Sequence, residues 1–156
     1  MNKAVKLLIA LVACILTGTI GYFLTSPYIK SWYALINKPS WTPPNWLFGP
    51  VWTILFLLMG LALYLIVSGK KSKDATDAVL VFAAQLLVNA SWSLLFFTLH
   101  KPLYAFIALI SLWLLILASI MMFHRLNKLA AYLLLPYLAW VSFAGALNLA
   151  IYFLNR

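Results

Sequence analysis

Acidic residues are almost absent from this chain of 156 residues, which contains two aspartates, Asp74 and Asp77, and no glutamate. Both aspartates lie in one polar segment, so no carboxylate falls within the long apolar runs. This argues against a paired-carboxylate hydrolase, a carboxylate-ligated metal site and a transporter that moves protons through a buried carboxylate. We interpret both aspartates as capping groups at a helix start, where they complement the positive end of the helix dipole.

Cysteine and histidine are also scarce. Cys14 is the single cysteine, which excludes an internal disulfide, and with His100 and His124 it cannot supply the four ligands of a structural zinc site. The net charge of +9 suggests nucleic acid, but the basic residues are scattered singly or in threes between apolar runs. Because these basic residues form no basic face, we expect no nucleic-acid partner. The shortage of cysteine and histidine likewise leads us to expect no metal site.

Apolar residues dominate the chain. Hydrophobic residues make up 66% and charged residues 8%, whereas soluble domains contain about 45–50% and ~25%. A helix needs about 20 mostly apolar residues to cross a bilayer. The sequence therefore predicts an all-α, five-transmembrane-helix bundle in a lipid bilayer, with residues 1–156 forming one membrane domain. The predicted spans are residues 4–25, 45–68, 75–98, 102–123 and 129–153.

The N-terminal segment has two interpretations. Lys3 and Lys6 followed by an apolar run are typical of a signal peptide, and residues 11–14 resemble a lipoprotein cleavage box. However, the apolar run before Cys14 is short for a signal peptide, and the chain stays apolar as far as Leu24. We therefore expect a retained first span.

Lysine and arginine are distributed unevenly between the two sides of such a bundle. Seven of the eleven fall on the side of the N-terminus and four on the other side. In a bacterial-type cell membrane this bias predicts a cytoplasmic N-terminus.

The longest connection, residues 26–44, combines several prolines with Trp32, Tyr33 and Trp41. Aromatic rings with polar edges are common at membrane interfaces, where they form an aromatic belt. Prolines restrict the backbone, and large rings bury apolar surface, so a structured loop that covers the bundle is an equal alternative.

Polar and aromatic residues share helix faces in the third and fifth spans. The third span places Gln85, Asn89, Trp92 and Ser93 on one face, and the fifth places Tyr137, Trp140, Ala144 and Asn148 on another. Amides facing lipid are costly, so both faces should point inward, either as interhelical hydrogen bonds or as the wall of a ligand pocket.

Small residues and a proline mark two more helix features. A stripe with Cys14, Gly18 and Gly21 in the first span permits close helix approach, within the chain or in a dimer. Pro136 removes a backbone donor and should kink the fifth span just before Tyr137.

The order and spacing of these features resemble the translocator protein family, also called tryptophan-rich sensory proteins or the peripheral-type benzodiazepine receptor. The matching strings are Trp32-Tyr33, residues 38–44, residues 49–52, Gln85-Leu86 with Asn89 and Trp92, Phe96-Phe97, residues 136–140 and Leu147-Asn148. The resemblance implies a five-helix membrane receptor, usually a homodimer, that binds porphyrins, synthetic benzodiazepine- or isoquinoline-type ligands and, in animals, cholesterol. It implies no cofactor, since a porphyrin would be a ligand.

The resemblance and the inward faces together give a set of predicted ligand-binding residues. These are Tyr33, Pro43, Trp52, Asn89, Trp92, Trp140, Ala144, Leu147 and Asn148. Leu149, Tyr152 and Arg156 fit a loose sterol pattern in a shifted register, although helices also end this way by anchoring at the interface.

Three functions follow as hypotheses. The first is binding of planar hydrophobic ligands, above all porphyrins, with transport or sensing as the outcome. The second is light-dependent porphyrin degradation, in which Trp52 and Trp140 would take part. The third is a sensory or interaction protein that acts through a partner. No nucleophile, base or metal cluster supports ordinary turnover, so we expect no catalytic residue outside such photochemistry.

Overall fold

The computed structural model describes residues 2–156, which fold into helices without any β-strand. Five helical segments are long and apolar enough to cross a membrane, which confirms the predicted bundle. They are Lys3–Ile29, Asn45–Ser68, Lys73–Thr98, Pro102–Leu126 and Lys128–Leu154. We label the helices α1 (Lys3–Ile29), α2 (Trp32–Leu35), α3 (Asn45–Ser68), α4 (Lys73–Ser93), α5 (Pro102–Leu126), α6 (Lys128–Tyr132) and α7 (Leu135–Leu154).

Local chemistry explains where the helices begin and end. Pro102 lies in the first turn of α5, where its missing N–H costs nothing, and Gly69 ends α3. At the start of α4, the hydroxyl of Ser72 accepts a hydrogen bond from the Ala75 N–H. The hydrogen-bonding cap is therefore Ser72 rather than an aspartate.

The two aspartates still lie beside this cap. Asp74 falls in the first turn of α4, where its charge complements the dipole, while Asp77 pairs with the exposed Lys73 at 2.9 Å. Within residues 2–156 both aspartates are thus at one end of the bundle, at least two helical turns before the polar face of α4 begins at Gln85.

Pro136 breaks the fifth membrane crossing, as its position predicts. The crossing consists of α6 and α7, which are separated by turns at Leu133 and Leu134. A proline ring clashes with the carbonyl four residues earlier, here that of Tyr132, and the regular helix is interrupted at this point. The break lets α7 start just before Tyr137.

The third crossing ends in a π-helical turn, Leu94–Thr98, that the sequence did not indicate. Such turns insert extra backbone into a helix and often occur at functional sites. This turn carries Phe96 and Phe97, which are both buried, and the Thr98 hydroxyl donates to the Leu24 carbonyl of α1 at 3.1 Å. The π-helical turn is thus held against α1.

The small residues of α1 serve packing within the chain. Cys14 is fully buried, and a Cβ added to Gly18 would lie 2.6 Å from the ring of Phe56 on α3. Farther along the same contact, a Cβ on Gly60 would lie 2.8 Å from the side chain of Leu11. Helices α1 and α3 therefore touch along glycines on both sides, which is one of the two alternatives for the stripe.

Candidate functional site

A cavity of about 670 Å³ lies between the C-terminal half of α1, the N-terminal half of α3 and the facing parts of α4 and α7. This volume is within the ~300–1,000 Å³ typical of small-molecule sites. Its walls are rich in aromatic side chains, among them Tyr33, Trp52, Phe56, Trp92, Phe96 and Phe97. Among the described residues that line it, none carries a charge.

Two pairs of stacked rings form much of the aromatic wall. Trp52 stacks on Phe56 with ring centroids 5.4 Å apart, and Trp92 stacks on Phe96 at 5.5 Å. The first pair belongs to α3, and the second joins α4 to the π-helical turn. Flat, offset faces of this kind favour contact with other planar rings.

Seven of the nine predicted ligand-binding residues line this cavity. They are Tyr33, Trp52, Asn89, Trp92, Ala144, Leu147 and Asn148. Pro43 and Trp140 are not in the lining. Trp140 contacts Phe48, a lining residue, with ring centroids 5.7 Å apart, so of the two tryptophans named for photochemistry only Trp52 lines the cavity.

The residues of the sterol pattern lie elsewhere. Tyr152 and Arg156 border a separate small hollow of about 180 Å³ at the end of α7, together with Lys101. Leu149 does not line this hollow. Sterol binding stays a prediction from the sequence.

The inward polar face of α4 forms a buried hydrogen-bond chain with α7. The Asn89 amide nitrogen donates to the Tyr137 hydroxyl at 2.7 Å, and that hydroxyl donates to the Gln85 carbonyl oxygen at 2.8 Å. Gln85 and Tyr137 are both 1% exposed, and Asn89 also lines the cavity. The polar face thus forms interhelical bonds and contributes to the cavity wall at the same time.

A second polar link joins three crossings where the cavity comes close to the start of α5. The Trp92 indole N–H donates to the Asn148 carbonyl oxygen at 3.0 Å, and the Asn148 amide donates to the Pro102 carbonyl at 2.7 Å. Trp92, Asn148 and the start of α5 are thereby held in one arrangement. This orients the indole face of Trp92 relative to the cavity.

Residues 30–44, which we call the capping loop, are tied to the end of α7. The Asn155 side chain accepts from the Asn37 N–H at 2.9 Å and donates to the Asn37 carbonyl at 2.8 Å. The side-chain amide of Asn155 thus binds both the N–H and the carbonyl of Asn37, as a backbone partner in a β-sheet would. Asn155 was not among the predicted residues, because nothing in a polar residue at a helix end indicates a partner 118 positions away.

A lysine closes the capping loop on itself. The Lys38 ammonium donates to the carbonyls of Tyr33 and Ile36, at 2.6 and 2.9 Å, and lies 4.8 Å from the centre of the Tyr33 ring. Tyr33 lines the cavity from this loop, and burial raises the pKa of its hydroxyl. The loop therefore presents a neutral phenol to the cavity.

The first helix supplies a wall that sequence reasoning missed. Thr17, Gly18 and Gly21 line the cavity, and the two glycines also pack against Phe56 of α3 and Ser93 of α4. Phe48 also lines it and contacts Trp140. Glycines give no side-chain signal of a cavity, because what they contribute is the space left by a missing Cβ.

We expect Asn155→Ala to loosen the capping loop. It removes two hydrogen bonds to Asn37, each worth about 1 kcal/mol, so amide exchange within residues 32–42 should accelerate at least about tenfold. Hydrogen–deuterium exchange of the protein in nanodiscs measures this. Arg156→Ala, at the neighbouring position, is the control and should leave exchange unchanged; equal exchange in both variants and the wild type would show that Asn155 does not hold the loop.

The five crossings and the cavity between them define a multi-pass integral membrane protein with an uncharged internal cavity. The model of the TspO/MBR family matches residues 10–154, and the chain belongs to this family. It is 41% identical over 157 residues to the tryptophan-rich protein TspO of Chlorobaculum tepidum, covering 99% of both chains. It is 42% identical over 150 residues to the TspO protein of Archaeoglobus fulgidus, covering 96% of this chain and 97% of the relative.

A mammalian relative is similar over a shorter range. The chain is 37% identical over 139 residues to the translocator protein of Bos taurus, covering 85% of this chain and 82% of the relative. The resemblance found in the sequence is thus confirmed at the level of the family.

Proposed function

We propose that this protein binds planar hydrophobic ligands, specifically porphyrins, in the cavity between α1, α3, α4 and α7, as a membrane receptor or translocator. The observation that carries the proposal is the uncharged cavity of about 670 Å³ with two stacked aromatic pairs in its wall. Indole and phenyl faces match a flat macrocycle, and the volume accommodates a large part of one. The name of the bovine relative, translocator protein, supports a role in moving such a ligand.

The distribution of basic residues supports a particular orientation in the membrane. Seven of the eleven basic residues lie on the side of the N-terminus. We infer a bacterial-type cell membrane with the N-terminus in the cytoplasm. The cavity then lies in the outer half of the bilayer, because its walls come from the C-terminal half of α1 and the N-terminal half of α3. A homodimer is the expected assembly from the resemblance.

The position of Trp140 bears on the alternative of light-dependent degradation. A ligand in the cavity would touch Trp52 directly, whereas Trp140 is not part of the lining and contacts the lining residue Phe48. Binding therefore accounts for the cavity better than a reaction that needs both indoles. Illumination of the bound complex tests the alternative when it is compared with protoporphyrin in empty nanodiscs, since only degradation by the protein makes the loss of the porphyrin spectrum faster than photobleaching without it.

Titration of the protein in nanodiscs with protoporphyrin, followed by quenching of tryptophan fluorescence, tests the proposal. The wild type should saturate, and Trp52→Leu should weaken binding about tenfold, because one ring face of the wall is lost. Trp113→Leu is the matched control: it also removes one of seven tryptophans, but Trp113 lies outside the cavity and donates to Ser142. Quenching that never saturates, or equal affinity in both variants, would contradict the proposed site.

A further inference from the structure

The lining residues of the cavity differ in exposure from helix to helix. Those contributed by α4, the π-helical turn, α7 and the capping loop are buried, except for the half-buried Trp92. The lining residues that are exposed on the surface of the bundle belong to α1 and α3. Among the described residues, the cavity is therefore closed on the sides of α4, α7 and the capping loop and reaches the surface between α1 and α3.

Two stripes of exposed lining residues mark the edges of this gap. They are Ile15, Thr19 and Tyr22 on α1, and Gly49, Thr53 and Leu57 on α3. Residues three or four positions apart share one helix face, so each stripe runs along its helix for about 10–12 Å. Tyr22 and Leu57 are 64% and 41% exposed, and both helices cross the membrane. We call the gap between the two stripes the side opening; because its edges lie within membrane-crossing helices, it faces lipid.

The glycines of α1 and α3 show where these two helices separate. The close approaches at Gly18 and Gly60 hold them together in the half of the contact that is farther from the capping loop. Nearer to that loop, a Cβ on Gly21 would meet Ser93 of α4 at 3.3 Å rather than a residue of α3, and a Cβ on Gly49 would meet nothing within 4 Å. The two helices therefore diverge toward the capping loop and leave the side opening between them.

The side opening and the end of the cavity under the capping loop differ in chemistry. At the edges of the side opening, the Thr19 hydroxyl donates to the Ile15 carbonyl and the Thr53 hydroxyl to the Gly49 carbonyl, each at 2.9 Å. Neither edge carries a charge, so an apolar molecule that passes between them breaks no hydrogen bond of these threonines. The capping loop, by contrast, is fastened to α7, and its lining residue Tyr33 is only 5% exposed.

We propose that ligands enter the cavity from the bilayer through the side opening, and that the cavity accepts flat ring systems with a long apolar tail, which stays in the lipid. This inference rests on the proposed function, since it assumes that flat ligands occupy the cavity. A tail that leaves through the side opening remains in an apolar medium before and after binding, so its length hardly changes the affinity. A tail that had to leave under the capping loop would enter water, which weakens binding about fourfold for each methylene group exposed.

The monomethyl and monooctadecyl esters of protoporphyrin form a suitable pair of probes. They share one ring system and one free carboxyl group, and they differ in the length of the tail. Titration of the protein in nanodiscs, with each ester at the same mole fraction in the lipid, measures both affinities from the saturable part of the quenching of tryptophan fluorescence. The wild type should bind the two esters with affinities within about threefold of each other.

A reversible block of the side opening tests the route. Thr53→Cys places a thiol on the α3 edge, and the natural Cys14 is fully buried, so a methanethiosulfonate reagent can attach a biphenyl group to the introduced thiol before reconstitution. The label should weaken binding of the octadecyl ester relative to the methyl ester by at least about tenfold, and its removal by a reducing agent should restore the ratio. Ala146→Cys, labelled in the same way on the exposed side of α7, is the control and should keep the wild-type ratio.

The outcomes separate the inference from the proposed function. Wild-type protein that binds the methyl ester but excludes the octadecyl ester overturns the inference and leaves the proposed function standing; if Asn155→Ala then admits the octadecyl ester, the entrance lies under the capping loop. A ratio that does not respond to the label on Thr53→Cys also overturns it, and this result is expected if a second copy of the chain covers the side opening. Failure of protoporphyrin and both esters to bind removes the proposed function itself.

Discussion

Ala144→Phe is expected to abolish saturable porphyrin binding, with an apparent affinity at least about a hundredfold below that of the wild type. Ala144 is 8% exposed and lines the cavity from α7, on the same helix face as Leu147 and Asn148. A phenyl ring attached there must occupy the volume that the ligand needs. The stacked rings of Trp92 and Phe96 are already in contact, so the wall has little freedom to retreat.

The control for this substitution is two residues away. Ala146→Phe introduces the same ring on the exposed outer side of α7, because two residues rotate the position by more than half a turn. It should bind protoporphyrin as the wild type does. Normal binding by folded Ala144→Phe would place the ligand outside this cavity, and loss of binding in both variants would indicate disturbance of α7 rather than filling of the cavity.

Gly60→Ala is expected to lower the free energy of unfolding, although alanine favours a helix over glycine by about 1 kcal/mol. The added Cβ would lie 2.8 Å from the Leu11 side chain and 3.0 Å from the Leu11 Cα. A backbone atom cannot rotate away, so α1 and α3 must separate, and such overpacking costs typically about 1–3 kcal/mol. The net effect should therefore be a melting temperature lower by several degrees.

Gly145→Ala provides the opposite case. A Cβ at Gly145 meets nothing within 4 Å, so the helix preference of alanine should act alone and leave the melting temperature unchanged or raised. Thermal melting in the same detergent compares the two variants directly. A Gly60→Ala protein that melts at or above the wild-type temperature would show that α1 and α3 do not depend on this close approach.

The membrane architecture follows largely from local features of the sequence. Each crossing satisfies its own backbone hydrogen bonds in lipid, so the lengths of the apolar runs were sufficient to predict five helices. Local punctuation located several ends, as Gly69 and Pro102 show. The break before Pro136 was likewise predictable, because proline acts on the turn immediately before it.

Other helix ends were predicted less well, because no proline or glycine marks them. The first crossing continues to Ile29, four residues past its predicted end, and the fourth to Leu126. The π-helical turn had no local signal; it brings Phe96 and Phe97 into the core, where tertiary packing compensates for an irregular backbone.

The candidate site, too, was predictable from the sequence only in part. Polarity alone predicted that Gln85 and Asn89 face inward, since exposed amides are costly in lipid. It could not show that Gln85 is linked to Asn89 through Tyr137, because Gln85 and Tyr137 are 52 positions apart in the sequence. Nor could it separate Trp52, which lines the cavity, from Trp140, which contacts the lining residue Phe48 but does not line the cavity itself.

The sequence by itself thus determined the class of fold, the inward faces and the uncharged character of the site, because these depend on composition and on spacing within single helices. Its two aspartates, both near one helix start, left no carboxylate for the interior. Only the tertiary structure decided which residues share the cavity, how Asn155 fastens the capping loop and which way the buried hydrogen-bond chain runs. These features depend on distances between helices. Such distances are fixed by packing contacts between different helices, for example that of Gly18 on α1 with Phe56 on α3, and no single segment of the sequence contains such a contact.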